Sequence, residues 1–162
     1  MITLVLGGAR SGKSAIAERL VARLPEPVTY LATAAATDPE MAARIAAHRA
    51  RRPSHWRTVE AGEKLAEELA AVDGSVLVDA LGPWVARCPD FRVDLDAFCR
   101  ELDRRGGDSV VVSEEVGLGV HPSTQAGRHF RDSLGEVNQA VAAIADDVLL
   151  VVAGRTLALD RP

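Results

Sequence analysis

The stretch GGARSGKS, residues 7–14, directly follows the apolar run Ile2–Leu6. It matches the phosphate-loop pattern Gly-x-x-x-x-Gly-Lys-Ser, with a predicted strand before it and an amphipathic helix after it. Glycines let the backbone turn its N–H groups toward an anion, and the N-terminus of the following helix adds a favourable dipole. The stretch therefore predicts a nucleotide-binding loop at the edge of an α/β sheet.

The residue types in this loop predict individual roles. Lys13 can reach the β- and γ-phosphates of a nucleotide, and Ser14 can offer its hydroxyl to Mg²⁺. Arg10 is either a further anion contact or a solvent-facing side chain. A chance glycine turn is the alternative reading of the loop, but a strand, a loop and a helix in register argue against it. The candidate nucleotide contacts are Gly7, Gly8, Ala9, Arg10, Ser11, Gly12, Lys13 and Ser14.

Short apolar runs alternate with helical patterns along the rest of the chain, which is typical of a doubly wound, mostly parallel sheet flanked by helices. We predict a single P-loop NTPase-like (RecA-like) domain over residues 1–162, with a short extra strand at Thr156–Leu159. The other predicted strands are Ile2–Leu6, Val28–Leu31, Ser75–Asp79, Ser109–Ser113 and Val148–Val152. The predicted helices are Lys13–Leu24, Pro39–Arg51, Glu63–Val72, Leu95–Arg105 and Phe130–Ala145. The stretch Gly82–Asp94 is predicted to be a surface connection.

Composition narrows the functional class. The 162 residues carry a formal net charge of −4, which gives no general attraction to nucleic acid or anionic lipid. The two cysteines form no metal-type spacing. No stretch approaches the length of a membrane span, and the start does not resemble a signal peptide. We therefore expect small-molecule substrates, no nucleic acid partner, no membrane insertion and a cytoplasmic location.

Asp79 ends the apolar run Val76–Val78, at the carboxyl edge of a predicted strand, where ligands bind in open α/β sheets. P-loop proteins commonly carry an acidic residue at such a position to hold Mg²⁺. A strand-end turn or a helix cap is the alternative role. We expect Asp79 and Ser14 to hold the metal ion together.

His48 lies on a predicted helix that Asp38 can cap, with Pro39 at its first position. It shares a stripe with Met41 and Ile45, so it points away from solvent. Neutral imidazole is a good nucleophile near pH 7, and its attack on an α-phosphorus would give a phosphoramidate with pyrophosphate leaving. From spacing alone, a hydrogen-bonded core histidine is the commoner explanation. The arginines at 49, 51 and 52 are either anion contacts or solvated side chains.

Several stretches together resemble the bifunctional adenosylcobinamide kinase/adenosylcobinamide-phosphate guanylyltransferases of cobalamin biosynthesis, in order along nearly the whole chain. Two of them are the phosphate loop and VLVDAL with Trp84-Val85. The others are YLATA (Tyr30–Ala34), the His48 segment (Glu40–Glu60), VSEEVGLGV-P (Val112–Pro122) and Gly127–Gly154. The resemblance implies phosphorylation of the aminopropanol hydroxyl of adenosylcobinamide by ATP or GTP. It then implies transfer of GMP from GTP, through a guanylyl-histidine that falls on His48, to the new phosphate. It also implies a homotrimer.

The resemblance implies further site residues. Lys13 and His48 are the implied catalytic residues, and Mg²⁺ is the implied metal. Glu115, Gly117 and Gly119 are candidate contacts on the cobinamide side, or only a turn after a strand. The nucleotide contacts of the family that lie outside the phosphate loop fall on Ala32, Thr33, Ala34, Arg49, Ala50, Arg51, Arg52, Glu60 and Asp79.

The chain departs from the family pattern at several positions. Glu114 stands where the family often has Asn, which makes a carboxylate pair with Glu115. If both approached a bound metal or phosphate, they would repel it or shift each other's pKa, so we expect one of them to face solvent. His121 replaces an aliphatic residue, and Leu81–Asp94 carries Gly82-Pro83 where the family tends to be helical. Two other functions remain open from the residues alone. They are a P-loop kinase of another small alcohol with a structural His48, and a GTP-binding regulatory module without transfer chemistry.

Overall fold

The structure is a computed structural model that describes residues 1–36 and 38–161. Seven strands form one sheet in the order β3-β2-β4-β5-β1-β6-β7, and every neighbouring pair is parallel except β6 and β7. The strands are β1 (Ile2–Gly7), β2 (Val28–Ala32), β3 (Arg57–Glu60), β4 (Ser75–Asp79), β5 (Ser109–Glu114), β6 (Asp147–Val152) and β7 (Arg155–Ala158). The mostly parallel sheet and its extra C-terminal strand confirm the predicted fold class.

Helices cover both faces of this sheet. They are α1 (Lys13–Val21), α2 (Pro39–Arg51), α3 (Leu65–Ala70), α4 (Leu81–Arg87), α5 (Leu95–Arg104) and α6 (Gln125–Ile144). On one face, Ile16 and Val21 of α1 pack against Val5 and Val110. The other face is covered by α3, α4, α5 and α6. The central strands are therefore buried on both sides, which explains their continuous apolar sequences.

The capping residues fix the helix starts. Asp38 accepts the backbone N–H of Met41 at 2.8 Å, so α2 begins at Pro39 as predicted. Thr124 accepts the N–H of Gly127 at 3.0 Å, and α6 therefore begins at Gln125, before the predicted start at Phe130. An apolar pattern locates the middle of a helix, whereas the cap decides its first residue.

The prediction that Gly82–Asp94 is a surface connection was wrong. Residues Leu81–Arg87 form α4, and a single 3₁₀ turn follows at Pro89–Phe91. Leu81, Trp84 and Val85 are buried, and the Trp84 ring lies 4.9 Å from that of Phe98. Pro83 is tolerated because the first turn of a helix does not need its N–H group. Burial of large side chains outweighed the turn signal of Gly82-Pro83.

Strand β3 was not predicted. It is an edge strand paired with β2, and of its four residues only Val59 is half-buried. Its polar sequence RTVE lacks the apolar run that marks the central strands. Backbone pairing with β2, and not burial, defines it.

At the amino edge of the sheet, Arg105 joins two loops. Its guanidinium donates to the backbone carbonyls of Val72 and Gly74 at 3.1 and 2.8 Å, and to those of Gly107 and Asp108 at 3.3 and 3.1 Å. Burial lowers the pKa of Arg105. This arginine therefore joins two loops at the edge of the sheet opposite the phosphate loop.

Candidate active site

The phosphate loop turns sharply between β1 and α1. Gly12 has φ +95°, a conformation that L side chains rarely adopt, and the next residue begins α1. Arg10 also has a positive φ, 56°, and its side chain is exposed. Gly8 is half-buried and Ala9 is exposed. The loop thus has the geometry that the sequence motif predicted.

The turn after β6 supports this loop from the side. Gly154 donates its N–H to the carbonyl of Ser11 at 2.8 Å. A Cβ placed on Gly12 would lie 3.4 Å from the Cα of Gly154, so the two backbones are in close contact. A glycine at each position permits this approach.

Lys13 is buried, and its ammonium lies inside the loop. Its Nζ donates to the carbonyl of Gly8 at 3.4 Å and lies 3.5 Å from Oε1 of Glu114. The backbone N–H of Lys13 donates to the Ser11 hydroxyl at 3.4 Å. The lysine is therefore held by acceptors of the protein at the position where phosphate oxygens would bind.

Asp79 uses its two carboxylate oxygens on different partners. Oδ1 accepts from the hydroxyl of Ser14 at 3.2 Å. Oδ2 accepts from the hydroxyl of Tyr30 and lies 3.6 Å from Nδ1 of His48. Burial acts to raise the pKa of Asp79, but the interaction with His48 and the hydrogen bonds from Tyr30 and Ser14 outweigh it, so the pKa is lowered. The carboxylate is ionised at neutral pH.

Tyr30 and Arg52 form a second layer around Asp79. Burial, and then the neighbouring Asp79, raise the pKa of Tyr30, so its hydroxyl keeps its proton and can donate. The guanidinium of Arg52 stacks on the Tyr30 ring, 3.1 Å from the centroid, and burial lowers the Arg52 pKa. Sequence reasoning missed Tyr30 as a site residue because nothing in an isolated strand indicates which carboxylate its hydroxyl meets.

Helix α2 brings His48 to the phosphate loop. The His48 side chain is 20% exposed and faces a cleft of about 430 Å³ that it shares with the loop. Its Nδ1 is directed at Asp79, which leaves Nε2 as the ring nitrogen available to a ligand. The cleft is lined by Arg10, Ser11, Gly12, Lys13, Ser14, Ala15, Glu40, His48 and Arg51.

The other basic residues of α2 have different surroundings. Arg51 lines the cleft and lies 3.4 Å from Glu18 of α1. Arg49 is exposed and lies 3.9 Å from Glu60, which is itself exposed at the end of β3. Ala50 is exposed. Among the predicted contacts on α2, the structure brings His48 and Arg51 to the cleft, and it leaves Arg49 and Ala50 on the surface.

The segment after β2 lies beside β4. Thr33 is fully buried, and its hydroxyl donates to the carbonyl of Ala80 at 2.5 Å and accepts the Ala80 N–H at 2.9 Å. Ala32 and Ala34 are half-buried. Thr33 thus fixes the backbone that follows Asp79, and a nucleotide contact by this segment stays a prediction.

The predicted carboxylate pair points in two directions. Glu114 turns to Lys13, and its Oε2 accepts the N–H of Gly82 at 2.9 Å. Glu115 instead accepts the N–H groups of Gly117 and Leu118 in its own loop, at 2.5 and 3.2 Å. The two carboxylates therefore do not converge on one point: Glu114 faces the phosphate loop, and Glu115 stays in its own exposed loop.

The loop that follows is exposed. Gly117 and Gly119 lie on the surface, and Leu118 and Val120 are 83% and 96% exposed. His121 is exposed too, with Nδ1 3.0 Å from Nη1 of Arg131. Nothing in these contacts separates a cobinamide-binding loop from a simple turn, so the roles of Glu115, Gly117 and Gly119 stay predictions.

The oxygens of Ser14 and Asp79 suit Mg²⁺, which prefers hard oxygen ligands and is commonly held through substrate phosphates as well. In the described part of the chain, no group of three or more His, Cys, Asp or Glu side chains is placed to hold a metal ion by itself. Within residues 1–36 and 38–161, no helix is both long enough and apolar enough to cross a bilayer.

The sheet order, the phosphate loop after β1 and Asp79 at the carboxyl end of β4 define a P-loop nucleotide-binding protein. The family model for cobinamide kinase / cobinamide phosphate guanyltransferase matches residues 3–159, and the chain belongs to that family. This is the family that the sequence resembled. The predicted kinase and guanyltransferase activities are therefore confirmed at the level of the family.

The chain is similar over nearly its full length to curated relatives. It is 44% identical to the bifunctional adenosylcobalamin biosynthesis protein CobP of Pseudomonas aeruginosa, over 98% of this chain and 97% of the relative. It is 40% identical to CobU of Salmonella typhimurium, which has the same bifunctional name, over 95% and 97%. A solved ATPase from a type III secretion system shares the fold, with a TM-score of 0.59 and 8% identity over 97% of this chain and 56% of that one.

Proposed function

We propose that the chain phosphorylates adenosylcobinamide with ATP or GTP and then forms adenosylcobinamide-GDP through a guanylyl-His48 intermediate. Family membership supports the two activities. The observation that supports His48 as the carrier is its position in the same cleft as Lys13 and Ser14, with Nδ1 directed at Asp79. A histidine with a purely structural role would need no access to this cleft.

In the proposed guanylylation, Nε2 of His48 attacks the α-phosphorus of GTP. The bond from that phosphorus to the bridging oxygen breaks, and its electron pair leaves with pyrophosphate. Asp79 faces Nδ1, so it favours the tautomer that carries the proton there and has its lone pair on Nε2. A phosphate oxygen of adenosylcobinamide phosphate then attacks the same phosphorus, and the P–N electron pair returns to Nε2.

Cationic groups assist both reactions. Lys13 and Arg51 line the cleft and can neutralise charge on the triphosphate. We propose that Ser14 and Asp79 Oδ1 hold Mg²⁺, which would supply further charge neutralisation on the phosphates. Asp79 then serves the metal with one oxygen and His48 with the other.

GTP labelled at the α-phosphate tests the intermediate. Incubation without acceptor should give acid-labile label on the protein, and mass analysis should place it on His48. His48→Asn should abolish this label. His55→Asn is the matched control, because His55 is exposed and lies 3.1 Å from Glu26, away from the cleft.

The outcomes separate the alternatives. Absence of label, with phosphorylation of cobinamide retained, would leave a kinase in which His48 is structural. Binding of GTP and Mg²⁺ with no turnover of either kind would leave a regulatory module. Label on another residue would move the carrier role away from His48.

We also propose that the chain works as a cytoplasmic homotrimer, as the family resemblance implies. Exposed apolar side chains such as Leu118, Val120 and Leu157 are available to subunit contacts. Light scattering of the purified protein measures the assembly directly, and a monomer that is fully active would contradict the trimer.

A further inference from the structure

Glu114 is a carboxylate that the proposed guanylylation does not use. It ends β5, the strand between β4, which carries Asp79, and β1, which leads into the phosphate loop. Its side chain is 27% exposed, with Oε1 3.5 Å from Nζ of Lys13 and Oε2 held by the N–H of Gly82. The register pairs Asp79 with Val112, so Glu114 lies two residues farther along β5 on the same face of the sheet.

Glu114 and His48 lie at the two ends of a series of contacts through the site. His48 contacts Asp79, and Asp79 accepts a hydrogen bond from Ser14. Lys13, which precedes Ser14 in the chain, contacts Glu114. Lys13 marks the position of the β- and γ-phosphates. Glu114 therefore borders the end of the triphosphate that the kinase step transfers, while His48 contacts Asp79 at the other end of the series.

The kinase step needs a group that accepts the proton of the attacking hydroxyl. Asp79 is poorly suited, because both its oxygens already face donors and it is a proposed ligand of the metal ion. Glu114 is better placed, because among the residues that the structure describes the polar partner of Oε1 is the ammonium of Lys13, which the phosphates would draw to themselves. The backbone N–H of Gly82 meanwhile holds the other oxygen and fixes the side chain.

We propose that Glu114 is the proton acceptor for phosphorylation of the substrate hydroxyl. The hydroxyl oxygen bonds to the γ-phosphorus as its proton passes to Glu114. The bond from that phosphorus to the β,γ-bridging oxygen breaks, and its electron pair leaves with the nucleoside diphosphate. The inference rests on the proposed position of the γ-phosphate at Lys13, but it does not need the guanylyl-histidine.

This assignment concerns the chain itself and not its family. The resemblance puts Asn at this position in many members, and an amide cannot accept the proton. The glutamate is also accommodated locally, because a Cβ on residue 82 would overlap Oε2 of Glu114, and that residue is glycine.

The test compares Glu114→Gln with wild type in three measurements. These are single-turnover phosphorylation of adenosylcobinamide by γ-labelled GTP, labelling of the protein by α-labelled GTP, and affinity for GTP with Mg²⁺. Loss of a general base typically slows a reaction by about 10²- to 10⁴-fold. We expect a decrease of this size in phosphorylation, with protein labelling kept and nucleotide affinity undiminished.

Two further variants serve as references. Glu114→Asp keeps a carboxylate on a shorter side chain and should recover part of the phosphorylation rate. Glu136→Gln makes the same charge change at an exposed position of α6 and should leave all three measurements as in wild type. Circular dichroism establishes that each variant is folded.

Two results would overturn the inference. One is an unchanged phosphorylation rate in Glu114→Gln. The other is a parallel loss of phosphorylation, labelling and affinity, which would mean that Glu114 only positions Lys13. A wild-type protein that phosphorylates adenosylcobinamide but takes no α-label would refute the guanylyl-His48 proposal and leave the role of Glu114 intact.

Discussion

The imidazole of His48 and the carboxylate of Asp79 meet at the phosphate loop, with Nδ1 3.6 Å from Oδ2. The other oxygen of Asp79 accepts from the Ser14 hydroxyl at 3.2 Å. One buried carboxylate thus joins the proposed nucleophile to the proposed metal site. Substitutions around it should have separable effects on the two reactions.

His48→Ala should abolish guanylyl transfer and keep part of the kinase activity. The kinase step transfers the γ-phosphate, whereas His48 is proposed to act on the α-phosphate. Chromatography of products from adenosylcobinamide and GTP should show the phosphate accumulating without the GDP derivative. Loss of both products in a variant that is shown to be folded would contradict separate roles.

Lys13→Ala should damage both reactions. Both require the triphosphate to be held, and a hydrogen bond to a charged group contributes about 1.5–3 kcal/mol. Nucleotide affinity should therefore fall by roughly 10- to 150-fold, as measured by calorimetry. Lys64→Ala is the control, because Lys64 is exposed and pairs only with Glu67 at 3.5 Å among its described ion pairs. Equal losses in the two variants would exclude a specific role for Lys13.

The lowered pKa of Asp79 makes the stability of the ligand-free protein depend on pH. A carboxylate whose pKa is depressed by folding stabilises the native state above its unfolded pKa of about 3.9. That contribution is lost as the pH falls through the folded-state value. The difference in free energy of unfolding between wild type and Asp79→Asn should therefore be largest near neutral pH and shrink below about pH 4.

Urea unfolding at a series of pH values measures this dependence. Asp103→Asn removes a carboxylate from an exposed position of α5 and provides the comparison. If the wild-type and Asp79→Asn curves run parallel over the whole range, the ionised form of Asp79 is not favoured by folding.

Gly107→Ala should destabilise the fold at the edge opposite the active site. A Cβ on Gly107 would overlap the carbonyl oxygen of Gly74, which cannot move freely because Arg105 also binds it. Overpacking of this kind costs about 1–3 kcal/mol. At Gly106 the same Cβ would find no heavy atom within 4 Å, so Gly106→Ala should leave the melting temperature nearly unchanged. Similar melting temperatures for the two variants would refute the clash.

The sequence predicted the elements whose patterns are local. The buried strands gave continuous apolar runs, and the bounds of β4 and α2 were correct to the residue. Two elements were missed because their determinants are not local. Helix α4 depends on burial of Trp84 against Phe98, and β3 depends on pairing with β2.

The site residues also fall into those that a local pattern predicts and those that depend on distant contacts. The phosphate loop and Asp79 could be found from spacing, because their positions follow from one strand and its end. The orientation of His48 toward Asp79, the hydroxyl of Tyr30 and the contact of Glu114 with Lys13 require the sheet order. Sequence spacing gives the direction of a side chain from its own helix or strand, but not the group that it meets.

The hydrogen bond from Gly154 to Ser11 ties the phosphate loop to the hairpin formed by β6 and β7. Strand β7 is exposed and contributes no residue to the cleft, yet it holds the turn that braces the loop. A deletion or a rigid fusion that displaces this hairpin would break the hydrogen bond to Ser11 and weaken binding of the triphosphate, although the change lies outside the cleft. Strand β7 thus contributes to catalysis by holding the phosphate loop in place, although it does not line the cleft.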